Sequence, residues 1–193
     1  MFFCAKGVIK INFVSLHYKL RIIMRVEIDE REIVDAVAEG MDAFVRLLYN
    51  RTMEAIGGEL NAGSMAKLNA DQITLLAYVT FCDEVMDGGH VQLIHNGYGP
   101  FIFLNPFAKA MRLWGSRDFC NLVYKGRKLF EKYGTEIAED CDDETFMALF
   151  EKYPEFDDLD DEFIEMEEEV TEMVARYIDE HISDFADVRK AGQ

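Results

Sequence analysis

Two histidines and three carboxylates crowd one short stretch, which makes it the first place to look for chemistry. His90 and His95 stand within a few residues of Asp83, Glu84 and Asp87. Imidazole beside carboxylate can hold a metal ion or relay a proton. The spacing argues against the metal. Two ligands on one helical face stand four residues apart, whereas these histidines are five apart. The chain has no GxSxG elbow, P-loop or HExxH motif. Cys4, Cys82, Cys120 and Cys141 are widely separated and form no CxxC pair, so neither a zinc framework nor a disulfide scaffold is indicated. Ordinary loop polarity accounts for the cluster, and no catalytic residue, metal or cofactor is expected.

The second concentration of reactive groups is acidic. From Glu136 to Glu169 there are 17 carboxylates in 34 residues, against Lys152 alone. The run lacks the sixth-position glycine that a calcium loop needs for its sharp turn. A helix from about Leu159 to His181 is expected, with Leu159, Phe163, Met166, Val170, Met173 and Tyr177 as its inner stripe. Around that stripe lie Asp158, Asp161, Glu162, Glu165, Glu168, Glu169 and Glu172. Carboxylates three or four residues apart on a helix sit roughly 5–6 Å from one another. Successive phosphates on a DNA strand are a similar few ångströms apart. Asp158, Asp161, Glu162, Glu165, Glu168 and Glu169 are therefore the candidate surface for a protein built to hold DNA. The plainer alternative is a solvated face, which most charge runs are.

Helices must position both stretches. Asp29, with Glu32 three residues on, resembles a capping box. It opens a helix with Ile33, Val37, Met41, Phe44 and Leu48 inward, running through Gly40 to Gly57-Gly58. Gly40 inside it would let a neighbouring helix approach closely. Asn69 caps a second helix to about Met86, with Ile73, Leu76, Val79 and Val85 inward. Asp83 and Glu84 fall near its C-terminal end, where the helix dipole disfavours carboxylates, so each calls for a partner. Gly88-Gly89 permits a sharp reversal into a short helix, His90 to Asn96. Gln92 and Asn96 share a face of it. Amides in such a turn most often satisfy backbone groups, and a recognition site is the sharper alternative. Asn105-Pro106 starts a helix that Gly115 stops. Ser116 caps the next, which carries Phe119, Val123, Leu129 and Phe130 to a Gly134 C-cap. A short helix follows at Asp143 to Lys152, and Pro154 separates it from the acidic one.

The start of the chain reads differently. From Leu16 to Ile28 every even position is apolar, the period of a strand, yet no partner run is visible. Met24 is the expected natural start. Residues 1–23 are then an extension or a lone strand, and residues 24–193 one all-α domain with an acidic C-terminal region. Nothing resembles a signal peptide, and no apolar run approaches the ~20 residues of a membrane span.

Composition agrees with a folded, helical chain. Half of the 193 residues are hydrophobic and only three are proline. The net charge is −17; residues 1–23 carry +4 and the other 170 carry −21. Such a charge repels nucleic acid and anionic membrane and favours cationic partners. One basic patch interrupts it: Lys109, Arg112, Arg117, Lys125, Arg127, Lys128 and Lys132, opposed by Asp118 and Glu131. Separated thiols fit a reduced, cytoplasmic protein.

The stretch DEVMDGGHVQLIHNGYG, Asp83 to Gly99, carries a resemblance. Its Glu84, Gly88, Gly89, Gln92, Asn96 and Gly99 match the signature of a bacterial family of DNA-mimic proteins. The similarity extends over roughly residues 68–185 and includes FDDLDDEF (Phe156 to Phe163) and YIDEHISDF (Tyr177 to Phe185). Asp87 stands where the family pattern has Asn, and His90 where it has Phe. The resemblance implies an all-α single domain of about seven helices and a homodimer. It also implies a non-enzymatic role, occupying the DNA-binding surface of a cationic protein such as a transcription regulator. A second binding class consistent with the charge is an immunity-type inhibitor of a basic nuclease.

Overall fold

A largely buried helix runs through the middle of this molecule, and four other helices of eight residues or more pack along it. The computed structural model describes residues 24–190. The elements are β1 (Glu27–Asp29), α1 (Glu30–Glu39), α2 (Met41–Ile56), α3 (Ala62–Met65), α4 (Ala70–His95) and α5 (Gly99–Phe103). After these come α6 (Phe107–Trp114), α7 (Arg117–Ile137), α8 (Asp143–Lys152), α9 (Asp157–Glu180), α10 (Ile182–Phe185) and β2 (Asp187–Arg189). A 3-10 turn, Pro154–Phe156, joins α8 to α9. Among the described residues seven helices have eight residues or more, so the all-α expectation holds.

From Thr74 to Phe81 every residue of α4 is buried, the pattern of a helix inside a core. Leu75, Leu76, Tyr78, Phe81, Leu93 and Ile94 expose almost nothing. Phe81 is its centre, with the rings of Phe107, Phe119 and Phe163 at 6.5, 5.1 and 4.9 Å. Those rings come from α6, α7 and α9, so one side chain ties four helices together. Asn69 forms the predicted cap and a full capping box with Gln72. Both amides reach further: Asn69 Nδ2 donates to the Asp184 carbonyl and Gln72 Nε2 to that of Phe185. The closing YIDEHISDF segment is thereby fastened to the start of the central helix.

Several expectations need correction. Gly40 (φ 144°, ψ 174°) ends α1 and starts α2, so the first helix is two. A built Cβ there would meet nothing within 4 Å, so the glycine serves the bend and not a close approach. Val37 and Met41, expected inward, are more than half exposed as a result. Gly134 lies inside α7, which continues to Ile137; its missing Cβ makes room for the Phe130 ring. Pro106 precedes α6, and Asn105 still accepts the Phe107 N–H at 2.8 Å, one position earlier than expected.

The strand expectation is met in part. Glu27–Asp29 pairs in parallel with Asp187–Arg189, in the register Ile28 opposite Val188. The partner lies 160 residues away in sequence and is three residues long, too short to show a period. Residues 16–23 of the alternating run, and the division at Met24, lie outside the described residues.

Candidate functional site

The two stretches with chemical potential meet in space. Gly88 and Gly89 do not reverse the chain. They put a kink in α4, with φ −155° at Gly88 and +70° at Gly89, and the helix resumes at His90. The kink leaves the His90 N–H without its intrahelical acceptor, and Asp160 of α9 supplies one: its Oδ1 accepts that N–H at 2.9 Å. The same oxygen lies 2.5 Å from His90 Nδ1. Asp160 thus caps the second half of α4 from another helix. Gly89 is needed for the approach, because a Cβ there would fall 2.3 Å from Asp160 Oδ2.

The His90 ring is fully buried. It stacks between Phe103 and Phe156, centroids 6.4 and 6.0 Å away, with Phe81 edge-on at 5.3 Å. Its Nε2 makes no hydrogen bond among the described residues, so Nδ1 and aromatic packing hold the ring. The imidazole thus combines aromatic stacking with polar contacts to Asp160. Asp160 was missed from the sequence. Its only signal was position, beside Leu159 and three residues before Phe163, where the buried stripe begins.

The remaining signature residues bond to one another. Asn96 Nδ2 donates to Glu84 Oε2 at 2.8 Å, and Gln92 Nε2 donates to Asp87 Oδ2 at 2.8 Å and, more weakly, to Glu84 at 3.4 Å. The expectation that these amides satisfy backbone groups is corrected: they serve carboxylates instead. They compensate charge near a helix end that disfavours it. Asp83 finds its partner in Arg46, which donates two hydrogen bonds of 2.7 Å. That fork holds α2 against α4 and raises the Arg46 pKa, the Asp83 hydrogen bond being the main cause. His95 Nδ1 meets the Ile137 carbonyl at 2.9 Å. Gly99 opens α5, where the Phe130 ring would strike a Cβ at 2.4 Å. The cluster is a bracket for the helices. Among the described residues no group of histidine, cysteine, aspartate and glutamate could hold a metal ion.

The acidic face presents the opposite picture. Asp158, Asp161, Glu165, Glu168 and Glu169 are exposed along α9. None has an ion-pair partner among the described residues. Glu162 differs: Lys125 Nζ lies 2.6 Å away, so part of the basic patch of α7 neutralises one member of the row. Lys132 reaches Glu155 at 3.9 Å, and Lys152 pairs with Glu136. Buried polar contacts fix the base of the row. Glu167 accepts the Thr171 hydroxyl, which lies 2.5 Å from the Tyr78 hydroxyl inside the core. Burial pushes the Tyr78 phenol well above its ordinary pKa, so it stays a neutral partner. The result is a helix set on an aromatic core, with carboxylates on its outer side that have no ion-pair partner among the described residues.

Among the described residues no helix is long and apolar enough to cross a membrane, and Cys82, Cys120 and Cys141 are free thiols. Comparison with known proteins gives two concordant findings. A family model described as DMP19-like protein matches residues 66–181. A protein named DNA mimic protein DMP19, from Neisseria meningitidis serogroup B, is 33% identical over 129 residues, 66% of this chain and 78% of its own length. The matched span holds the kink, its carboxylate–amide bracket and the acidic row alike. This chain belongs to the DMP19-like protein family.

Proposed function

We propose that this protein is a non-enzymatic acidic binding protein. It occupies the DNA-binding surface of a cationic protein, such as a transcription regulator, by presenting the α9 carboxylates in place of phosphates. The observation that carries this reading is the row Asp158, Asp161, Glu165, Glu168 and Glu169, exposed and without ion-pair partners among the described residues on one side of a helix. Here α9 is anchored through Phe163, Val174 and Ile178, all fully buried. Membership in a family with a relative named as a DNA mimic points the same way. A surface of this sign repels nucleic acid, so the protein acts on DNA only through its partner. The free thiols favour the cytoplasm as its place of work.

An immunity-type role against a basic nuclease uses the same charge and is the second reading, separated from the first by the identity of the partner. A homodimer has to keep two acidic faces apart. The uncharged depression of about 590 Å³ beside Ile73, Pro100, Phe101 and Leu104 is where we place that contact.

The test is a pull-down from a lysate of the encoding bacterium with a salt gradient, using the native protein and a D161N/E165Q/E169Q variant as baits. Glu162 is left in place because it holds Lys125. A DNA-binding protein that elutes at high salt, competes with duplex DNA and ignores the variant establishes mimicry. A nuclease with that behaviour establishes the second reading. Equal retention by both baits sinks both.

A further inference from the structure

DNA-like charge does not explain one feature of the same surface. The helix α1 buries none of its residues fully, and it leaves Val34 and Val37 61% and 56% exposed; Met41, just past the Gly40 break, is 51% exposed. Val37 and Met41, with Phe44 beneath them, form one wall of a groove of about 480 Å³. The other wall is α9, through Glu172, Ala175 and Asp179. Arg176 on the rim donates to Glu172 at 3.2 Å, so its charge is already matched. Glu172 stands four residues beyond Glu168 and three beyond Glu169, on the same side of α9. The groove is therefore the apolar continuation of the carboxylate row.

We propose that this groove receives a cationic, amphipathic helix of the partner protein. The inference rests on the reading of α9 as the partner-binding face, and it adds an apolar anchor that phosphates could not offer. Three arguments choose the occupant. The floor is apolar, and with Glu172 matched by Arg176 the rim carboxylate left without an ion-pair partner among the described residues is Asp179. It lies beyond the Glu168–Glu169 end of the row, which suits a segment with aliphatic anchors flanked by Lys or Arg. The α9 wall is mid-helix backbone that is already bonded, and the α1–α2 wall offers only the end groups of those two helices around Gly40, so an extended strand finds no edge to pair with, whereas a helix docks through side chains. A second copy of this chain would bring the same carboxylates face to face, a like-charge contact that opposes closure.

The probe is a synthetic Leu/Lys peptide of about 18 residues, long enough to form a helix, with leucines at every third and fourth position. Its control is an isomer of equal composition and charge with no apolar face. Titration calorimetry at low and high salt measures both against the native protein, a V37S/M41S variant and the D161N/E165Q/E169Q variant. The amphipathic isomer is expected to bind native protein about tenfold more tightly than the control, a preference that high salt leaves intact. V37S/M41S removes that preference and leaves the salt dependence unchanged. Amide shifts at Met41 and Ala175 locate the peptide on native protein. If the isomers bind native protein alike, or the preference survives V37S/M41S, the groove inference is overturned while the acidic-face reading stands. If the carboxylate variant binds both isomers as native protein does, the acidic-face reading itself fails.

Discussion

Asp160 carries two hydrogen-bonding duties at the kink, and both disappear when its side chain is removed. Asp160→Ala strands the His90 N–H and Nδ1 inside a box of aromatic rings. An unsatisfied buried polar group costs about 1–3 kcal/mol, so the variant should lose about 2–4 kcal/mol. For a chain of this length that lowers Tm by roughly 5–12 °C in a calorimetric scan. Gly89→Ala attacks the same contact from the other side, since the new methyl would occupy the position of the Asp160 carboxylate and φ of +70° suits few L-residues. Its destabilisation should be about as large, and combining it with Asp160→Ala should cost less than the sum, because both break one contact. An additive pair would mean that the glycine and the aspartate act separately. These residues also mark the limit of sequence reading. The importance of Gly88-Gly89 was visible, but its acceptor lies 70 residues away and nothing local names it.

At the level of elements, Gly40 sets the angle between α1 and α2. Its φ of 144° and ψ of 174° fall in a region that only glycine occupies readily. Since a Cβ would meet nothing, Gly40→Ala isolates the torsional cost, expected at about 1–3 kcal/mol by thermal or urea unfolding. An unaffected midpoint would show that the bend relaxes freely. The entry to α1 has a pH signature of its own. Glu32 is held below the ordinary glutamate range chiefly by the Asp29 N–H, and then by Arg51. A carboxylate with a depressed folded pKa stabilises above its unfolded value, and that contribution vanishes as pH falls through the folded one. Glu32→Gln should therefore lower Tm at pH 7, with the deficit shrinking below about pH 4.3 and absent in stronger acid. A deficit independent of pH would assign the effect to packing. Most elements were legible beforehand, because capping residues and apolar spacing are local: Asn69, Ser116, the bounds of α8 and the stripe of α9 all stand where the pattern put them. The misreadings share a cause. Gly40 and Gly134 are both glycines in helical patterns, and only tertiary packing decides that one ends a helix while the other sits inside it against Phe130.

The whole molecule carries a charge of −17, and the outer face of α9 keeps like charges together that folding alone would separate. Each like pair three or four residues apart on a helix costs about 0.2–0.5 kcal/mol. Asp161, Glu165 and Glu169 take part in several such pairs along α9, with Asp158, Glu162, Glu168, Glu172 and one another. Neutralising the three as Asn, Gln and Gln should therefore stabilise the fold by about 1–2 kcal/mol at low salt, raising Tm by roughly 2–6 °C. Salt acts on the same term. Between about 0.02 M and 0.5 M NaCl the screening length falls from roughly 20 Å to about 4 Å, and native Tm should rise because repulsion outweighs the surface ion pairs that salt also weakens. The variant should show a smaller rise, since part of its repulsion is already gone. A decisive comparison is stability against binding in one protein. If the row were an ordinary solvated face, neutralisation would relieve the same repulsion and raise stability, but it would leave binding unchanged. If it exists to meet a cationic surface, the variant should be the more stable protein and the poorer binder, the trade expected where a site is kept under strain for its function. A variant that melts lower than native at low salt would show instead that these carboxylates support the fold.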